Sequence, residues 1–290
     1  MNNDHNKYSF EDFLIVIVLY KVNLKDSTSF ITLSKANPNK SAIDLFVYDN
    51  SPTKSQENTD FVLHGFNVHY VSDNENPGVS KAYNNGVKYA KVKNKKWVLF
   101  LDQDTTLSDT ILQSFLKAIN REPEIKIFAT TLFDQKKNLV SPSLYFFKRG
   151  FRLSNVPSKV CSLNKITPIN SSLLVSIEVF DKVGMYNENI KLDFSDHEFM
   201  GRVRKVYDKF YVIEEDNYHS LSSSDETDLN SIKKRFEFFC NGALEAGRTT
   251  WLDSLQYLII CILRATKLNM KFKTLYFSNV LFKEWKRNLQ

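Results

Sequence analysis

Residues 13–20 read FLIVIVLY, an unbroken apolar and β-branched run with no polar alternation. A strand buries such a run only when both of its faces are covered, the condition inside a parallel sheet sandwiched between helices. The pattern recurs at Ile43–Asp49 (IDLFVYD), at 66–71, at 97–101 (WVLFL) and at 125–131. Helical spacing separates these runs. Ala82, Tyr83, Gly86, Val87 and Ala90 lie on one face of Val79–Val92, and Ile111, Leu112, Phe115, Leu116 and Ile119 on another, with Ser108 placed as N-cap. Alternating strands and helices predict right-handed βαβ units, hence an α/β fold with a mostly parallel sheet flanked by helices.

After about residue 135 the pattern is irregular, with a strand expected at 168–176 and a helix at about 196–207. From Leu229 the chain has no proline and reads as a helical appendage. Trp251, Leu255, Leu258, Ile259, Ile262 and Leu263 form its apolar stripe. The tract 220–225 (SLSSSD) reads as a loop.

Composition excludes several classes. With 290 residues, 42% apolar and 25% charged, and with 23 Phe and 13 Tyr, the chain has material for a large globular core. Its apolar runs fall well short of the roughly 20 residues of a membrane helix. The polar opening at 1–12 shows no leader pattern. Cys161, Cys240 and Cys261 form no C-x-x-C pair, which argues against a disulfide scaffold or structural zinc and for a cytoplasmic setting. The net charge is +6, and from 264 to 290 seven basic residues face one acid, so an anionic partner is expected near that end.

Ligands of open α/β sheets bind beyond the carboxyl ends of the strands. Two of the first four strands end in aspartate, Asp49 and Asp102, and Asp102-Gln103-Asp104 directly follows WVLFL. Two carboxylates one residue apart at a strand end can face a divalent cation and the diphosphate it neutralises. Mg²⁺ and Mn²⁺ suit such oxygen donors. For any single strand-end acid, capping the next helix is an equal reading.

Six segments, in order, resemble family 2 glycosyltransferases of the GT-A fold, and within them the bacterial rhamnosyltransferase branch. They are VIVLYK (16–21), VYDNS (47–51), ENPGVSKAYNNGVKYA (75–90), FLDQD (100–104), INSSLLVSIEVFDKVGMYNE (169–188) and LDFSDHEFMGR (192–202). The resemblance covers roughly residues 13–220. It implies a GT-A catalytic domain at 1–225, with a nucleotide-sugar half at about 10–135 and an acceptor half at about 136–225, followed by a helical region at 226–290. It implies nucleotide-sugar contacts from Tyr20, Asp49, Asn50, Asn76, Gly78, Lys81, Asn85, Asp102 and Gln103. Asp104 and His219 would hold Mg²⁺ or Mn²⁺, and Ser171, Ser172, Glu198 and Arg202 would stand on the acceptor side. Asp196, six residues before Arg202 as the family's base stands before its arginine, is implied as general base; without the resemblance, an N-cap is the plainer reading. His219, in NYHSL, resembles the family's His-x-Leu-Gly loop with Ser222 in place of glycine; alone it would be a bystander. Ser171 stands where the family often has glycine, and Pro52 stiffens the loop after Asn50.

The implied reaction moves a sugar, L-rhamnose from dTDP-rhamnose or alternatively galactose, glucose or galactofuranose from UDP, onto a glycan or lipid-linked glycan in cell-surface polysaccharide synthesis. Its chemistry needs the leaving diphosphate stabilised and the acceptor hydroxyl deprotonated. An inverting displacement needs one base rather than a flanking pair. On a helix Asp196 and Glu198 point apart, and Arg202 at i+4 can pair with Glu198.

Other classes fit less well. A basic nucleic-acid-binding protein should carry a recognisable motif, and none is present. A glycan-binding protein without turnover has no need of Asp102, Asp104 and Asp196 together. A nucleotidyltransferase should open on a Gly-rich loop, and residues 13–30 contain no glycine. Tyr145, Phe146, Phe147 and Phe151 are read as core rather than sugar-stacking rings. The C-terminal helix, with Trp251, Leu255, Ile259 and Ile262 before basic residues and Trp285, fits equally an anionic membrane surface, or packing on the catalytic domain or in a homodimer.

Overall fold

The computed structural model describes residues 7–53, 58–219 and 228–289. Its strands are β1 (Phe13–Leu19), β2 (Ile43–Asp49), β3 (Thr59–Leu63), β4 (Phe66–Ser72), β5 (Trp97–Asp102), β6 (Thr105–Thr106), β7 (Ile127–Phe133), β8 (Leu139–Ser141), β9 (Ser143–Phe146), β10 (Arg149–Phe151), β11 (Val160–Ser162), β12 (Ile166–Thr167), β13 (Leu173–Ser176) and β14 (Lys209–His219). Its α-helices are α1 (Thr28–Lys35), α2 (Val79–Val92), α3 (Ile111–Arg121), α4 (Ile177–Val183), α5 (Ser195–Val203), α6 (Leu229–Ala246), α7 (Trp251–Phe272) and α8 (Tyr276–Leu289).

The main sheet runs β11-β14-β7-β13-β5-β1-β2-β4-β3, with β6 on β14 and β8 on β7. β1 pairs in parallel with both β2 and β5, so the chain leaves β1 in one direction and returns on its other side. That reversal is where such sheets bind ligands. The register sets Asp49 opposite Leu19 and Asp102 opposite Val18, so both aspartates emerge at one edge of the sheet. β13 runs antiparallel between β5 and β7, and β14 is parallel to β7. The expected α/β sheet flanked by helices is present, in mixed form.

Every residue of β1 is buried, which accounts for its uninterrupted apolar run. Ile15 and Ile17 pack with Phe30, Leu33 and Phe115 beneath the sheet; Leu14, Val16 and Val18 pack with Ala82, Tyr83 and Phe199 above it. A third core joins α6, α7 and α8 to Ile190 and Phe194 of the preceding loop.

Several expectations are corrected. Ser108 does not cap α3; the N-cap is Thr110, whose side chain makes no capping bond, and the Ser108 hydroxyl donates to Glu215 at 2.6 Å. The strand expected at 168–176 is confined to Leu173–Ser176, and the helix expected at 196–207 is Ser195–Val203. Phe146 and Phe151 are surface rings, Phe147 packs on the third core, and Tyr145 lies 3.5 Å under the Arg204 guanidinium. The buried side of α7 is Tyr257, Ile260, Cys261 and Ala265. Much of the expected apolar stripe therefore faces outward, Trp251 being 74% and Leu263 61% exposed. Among the described residues no helix is long and apolar enough to cross a membrane, and all three cysteines are free and buried. The 220–225 tract, including Ser222, and residues 1–6 lie outside the described residues.

Candidate active site

A cleft of about 370 Å³ opens at the carboxyl end of β5, lined by Tyr83, Asp102, Asn170, Asp196, His197 and His219 among others. Asp102 closes β5 and is braced on three sides. Its N–H donates to the Ser171 hydroxyl at 3.3 Å, its carbonyl accepts from the Ser29 hydroxyl, and its Oδ1 accepts from the Tyr83 hydroxyl at 2.9 Å. Burial first, then the Asp102 carboxylate, push the Tyr83 phenol well above its ordinary pKa, with Asp196 adding in the same direction. Tyr83 therefore remains a proton donor to Asp102.

His219 ends β14. Its Nδ1 lies 3.5 Å from Asp104 Oδ1 and 3.0 Å from the Thr105 hydroxyl, and its Nε2 lies 4.0 Å from Asp102 Oδ2. Burial pushes the Asp104 carboxyl above its usual range; Asp102 acts in the same direction and His219 opposes it. One ligand atom from each of Asp102, Asp104 and His219 falls within 4.8 Å of the others. Two carboxylate oxygens and an imidazole nitrogen suit Mg²⁺ or Mn²⁺, and crowding of negative charge is what a cation relieves. The residues fit a metal.

Asp196 is the second residue of α5 and lines the cleft. The N-cap is Phe194, in the left-handed region at φ 72°, and no side chain caps the helix, so Asp196 is not the N-cap. A bulky residue in that conformation is held only by its surroundings. Here the Phe194 ring packs on Phe239 at 4.8 Å and Tyr257 at 5.5 Å, from α6 and α7. The start of α5 is also tied to α2, since the Ser195 and Ser80 hydroxyls are 2.8 Å apart. Gly78, at φ 102°, lets α2 reach the same loop: Val79 N–H donates to Lys191 O at 2.8 Å, and a Cβ on Gly78 would overlap that carbonyl. Asp196 Oδ1 accepts from the His197 N–H at 2.7 Å.

Other expected residues fall elsewhere. The Asp49 carboxylate is fully buried, accepting from the Tyr70 hydroxyl at 2.5 Å and from Ser51 N–H at 2.9 Å, and does not line the cleft. Asn50 is buried beside it. Gln103 bonds both backbone groups of Tyr20, at 2.7 and 3.3 Å, joining the ends of β1 and β5. Lys81 reaches Asp73 at 3.3 Å; Asn76, at φ 47°, donates its N–H to Asp73 O; Asn85 bonds its own helix through Lys81 O at 2.8 Å. Ser171, bonded to the Asp102 N–H, and Ser172 are buried and do not line the cleft, while the adjacent Asn170 does. Glu198 and Arg202 pair at 2.7 Å, and Arg202 also donates to Val183 O and Met185 O, so they fasten α5 to the end of α4 away from the cleft lining. Arg149, Asp193, His197, Arg235 and Phe239 line the cleft without having been singled out by sequence.

The sheet and its strand-end cluster define a nucleotide-sugar transferase architecture of the GT-A type. Solved structures of TarS from S. aureus share it: the complex with UDP aligns at a TM-score of 0.53 and 15% identity, covering 90% of this chain and 72% of that one. The complex with UDP-GlcNAc aligns at 0.53 and 14%, with the same coverage. Residues 36–184 match the family model "Glycosyl transferase family 2", and the chain belongs to that family. It is 28% identical over 185 residues to the dTDP-rhamnosyl transferase RfbF of Shigella flexneri, covering 63% of this chain and 60% of the relative. It is 24% identical over 201 residues to a low-salt glycan biosynthesis hexosyltransferase of Haloferax volcanii, covering 67% and 62%. The match thus spans about three fifths of the length of these curated relatives.

Proposed function

We propose that the chain is an inverting, metal-dependent glycosyltransferase that moves a sugar from a nucleoside diphosphate onto a hydroxyl of a glycan or lipid-linked glycan. The observation that carries this reading is the meeting of Asp196 with Asp102 and His219 in one cleft, with Asp104 beside His219. L-Rhamnose from dTDP-rhamnose is the leading donor, supported by the similarity to RfbF; a UDP-sugar is the alternative, supported by the fold shared with UDP-bound TarS.

In this reading Asp102, Asp104 and His219 hold Mg²⁺ or Mn²⁺, which supplies Lewis-acid stabilisation to the leaving diphosphate. Tyr83 fixes the Asp102 carboxylate in place through its hydrogen bond. Asp196 accepts the proton of the acceptor hydroxyl as that oxygen attacks C1 of the sugar from the face opposite the diphosphate. The exposed edge at Tyr20, backed by the buried Asp49 and Asn50, takes the nucleoside. Residues 1–225 form the catalytic domain and 226–290 a helical region. The outward stripe on α7, with Lys267, Lys271, Lys283 and Lys286 beyond it, supports a peripheral position at an anionic membrane surface.

Asp196→Asn tests the assignment. It should bind dTDP-rhamnose with Mn²⁺ as the wild type does, yet transfer rhamnose to acceptor-bearing membranes, with release of dTDP, about 10²–10⁴-fold more slowly. Normal turnover removes Asp196 from the chemistry.

A further inference from the structure

The cleft has a second charged end. Beyond Asp196 its wall is made by the β9–β10 hairpin and by α6, and three arginines gather there. Arg149 and Arg235 line the cleft, and Arg264 of α7 sits behind them, its guanidinium 4.1 Å over the ring of Phe239, which also lines it. The carboxylate among them is Asp193, whose Oδ1 accepts from Arg235 at 2.9 Å. Among the described residues neither Arg149 nor Arg264 has a carboxylate within ion-pair distance. Arg235 Nε and Asp193 Oδ2 are buried with no hydrogen-bond partner. Burial lowers the Arg264 pKa; Asp193 opposes this, while the charges of Arg235 and Arg149 add to it. Three guanidiniums against one carboxylate leave an excess of two positive charges. Cations gathered in a half-buried pocket repel one another, and an anion entering it relieves that cost.

We propose that Arg149, Arg235 and Arg264 bind a phosphate group carried by the acceptor, and that this contact presents the acceptor hydroxyl to Asp196. The inference rests on the reading of Asp196 as the base. A terminal phosphate monoester carries about two negative charges at neutral pH, matching the excess, a diester joining lipid to glycan carries one, and guanidinium forks fit the oxygens of either. The donor's diphosphate is accounted for elsewhere, at the strand ends that carry Asp102, Asp104 and His219. The arginines come from the hairpin and the C-terminal helices, not from the strand ends that carry the acidic cluster. Beside them the rim is apolar: Phe146 is 65% exposed, Phe151 and Trp251 are exposed, and a Lys148–Asp253 ion pair ties the hairpin to the first turn of α7. A lipid chain leaving the phosphate meets apolar surface there.

The test is a ³¹P NMR titration of the full chain, in EDTA, with inorganic phosphate and with citronellyl phosphate. Arg149→Gln should weaken binding about tenfold or more, the loss of a charge-assisted hydrogen bond, and Arg264→Gln should weaken it less, through the lost charge alone. Lys117→Gln, an exposed basic position on α3, should change nothing. Tighter wild-type binding of citronellyl phosphate than of inorganic phosphate assigns a lipid-linked phosphate; equal binding assigns a phosphorylated glycan. Absence of wild-type binding, or binding unchanged in both arginine variants, overturns the inference. Thermal stabilisation by nucleotide sugars with Mn²⁺, read on the same proteins, separates the two readings. Stabilisation of the wild type together with arginine-independent phosphate binding sinks only the acceptor subsite. A wild type that no nucleotide sugar stabilises sinks the donor reading itself.

Discussion

Tyr83 contributes one apolar position to a helical pattern, yet its hydroxyl reaches 2.9 Å into the strand-end cluster and orients Asp102. Tyr83→Phe keeps the ring in its core and removes only that bond. Activity at limiting Mn²⁺ should fall about 10- to 100-fold and recover in part at high Mn²⁺, the behaviour of a group that orients a metal ligand. An Mn²⁺ titration of transfer rate checks this; an unchanged metal requirement contradicts it. Residue by residue, legibility followed topology. Asp102 and Asp104 follow a strand that reads as an apolar run, whereas His219 was implied only by the resemblance of its NYHSL segment. Asp49 also ends a strand, but β4 sets Tyr70 against it and its carboxylate is spent inside. Glu198 and Arg202 paired as their i+4 spacing predicts, and Arg202 is also fastened to the end of α4. Arg149, Arg235 and Arg264 were illegible, since only the docking of the C-terminal helices brings them together.

At the scale of elements, the aim of Asp196 depends on α6 and α7. They hold Phe194 in its left-handed turn, and α6 approaches so closely that a Cβ on Gly242 would overlap the Asp193 carbonyl. Gly242→Val should force α6 from that loop, costing roughly 1–3 kcal/mol as an overpacked core position does. Thermal or urea unfolding measures it, and an unchanged midpoint denies the close packing described. β1 and β5, buried on both faces, were plain in the sequence because each is an unbroken apolar run, ended in β5 by Asp102. β3 was missed because it is a half-exposed edge strand. β14 was missed because Glu214, Glu215 and Asp216 interrupt its apolar pattern; a register irregularity lies between Ile213 and Asn217, and Glu215 gathers the hydroxyls of Ser108, Thr110 and Ser114.

At the scale of the molecule, the helical region serves two surfaces. One packs on the loop that carries Asp193 and Asp196; the other leaves Trp251, Leu255, Ile262 and Leu263 outward beside basic residues. Trp251→Glu with Leu263→Glu should leave folding intact, both positions being exposed, and should cut binding to anionic liposomes about tenfold or more. Unchanged co-sedimentation would assign the stripe to a second copy of the chain or to no partner. All of this depends on the donor binding at the β5 edge. Thermal stabilisation by a panel of nucleotide sugars with Mn²⁺, measured side by side on wild type, Asp104→Asn and Asp196→Asn, addresses that most directly. A ligand at a hundredfold excess over its Kd adds about 2.7 kcal/mol. Wild type and Asp196→Asn should be stabilised alike by one donor while Asp104→Asn is not; stabilisation that survives Asp104→Asn, or that no nucleotide sugar produces, would contradict the account.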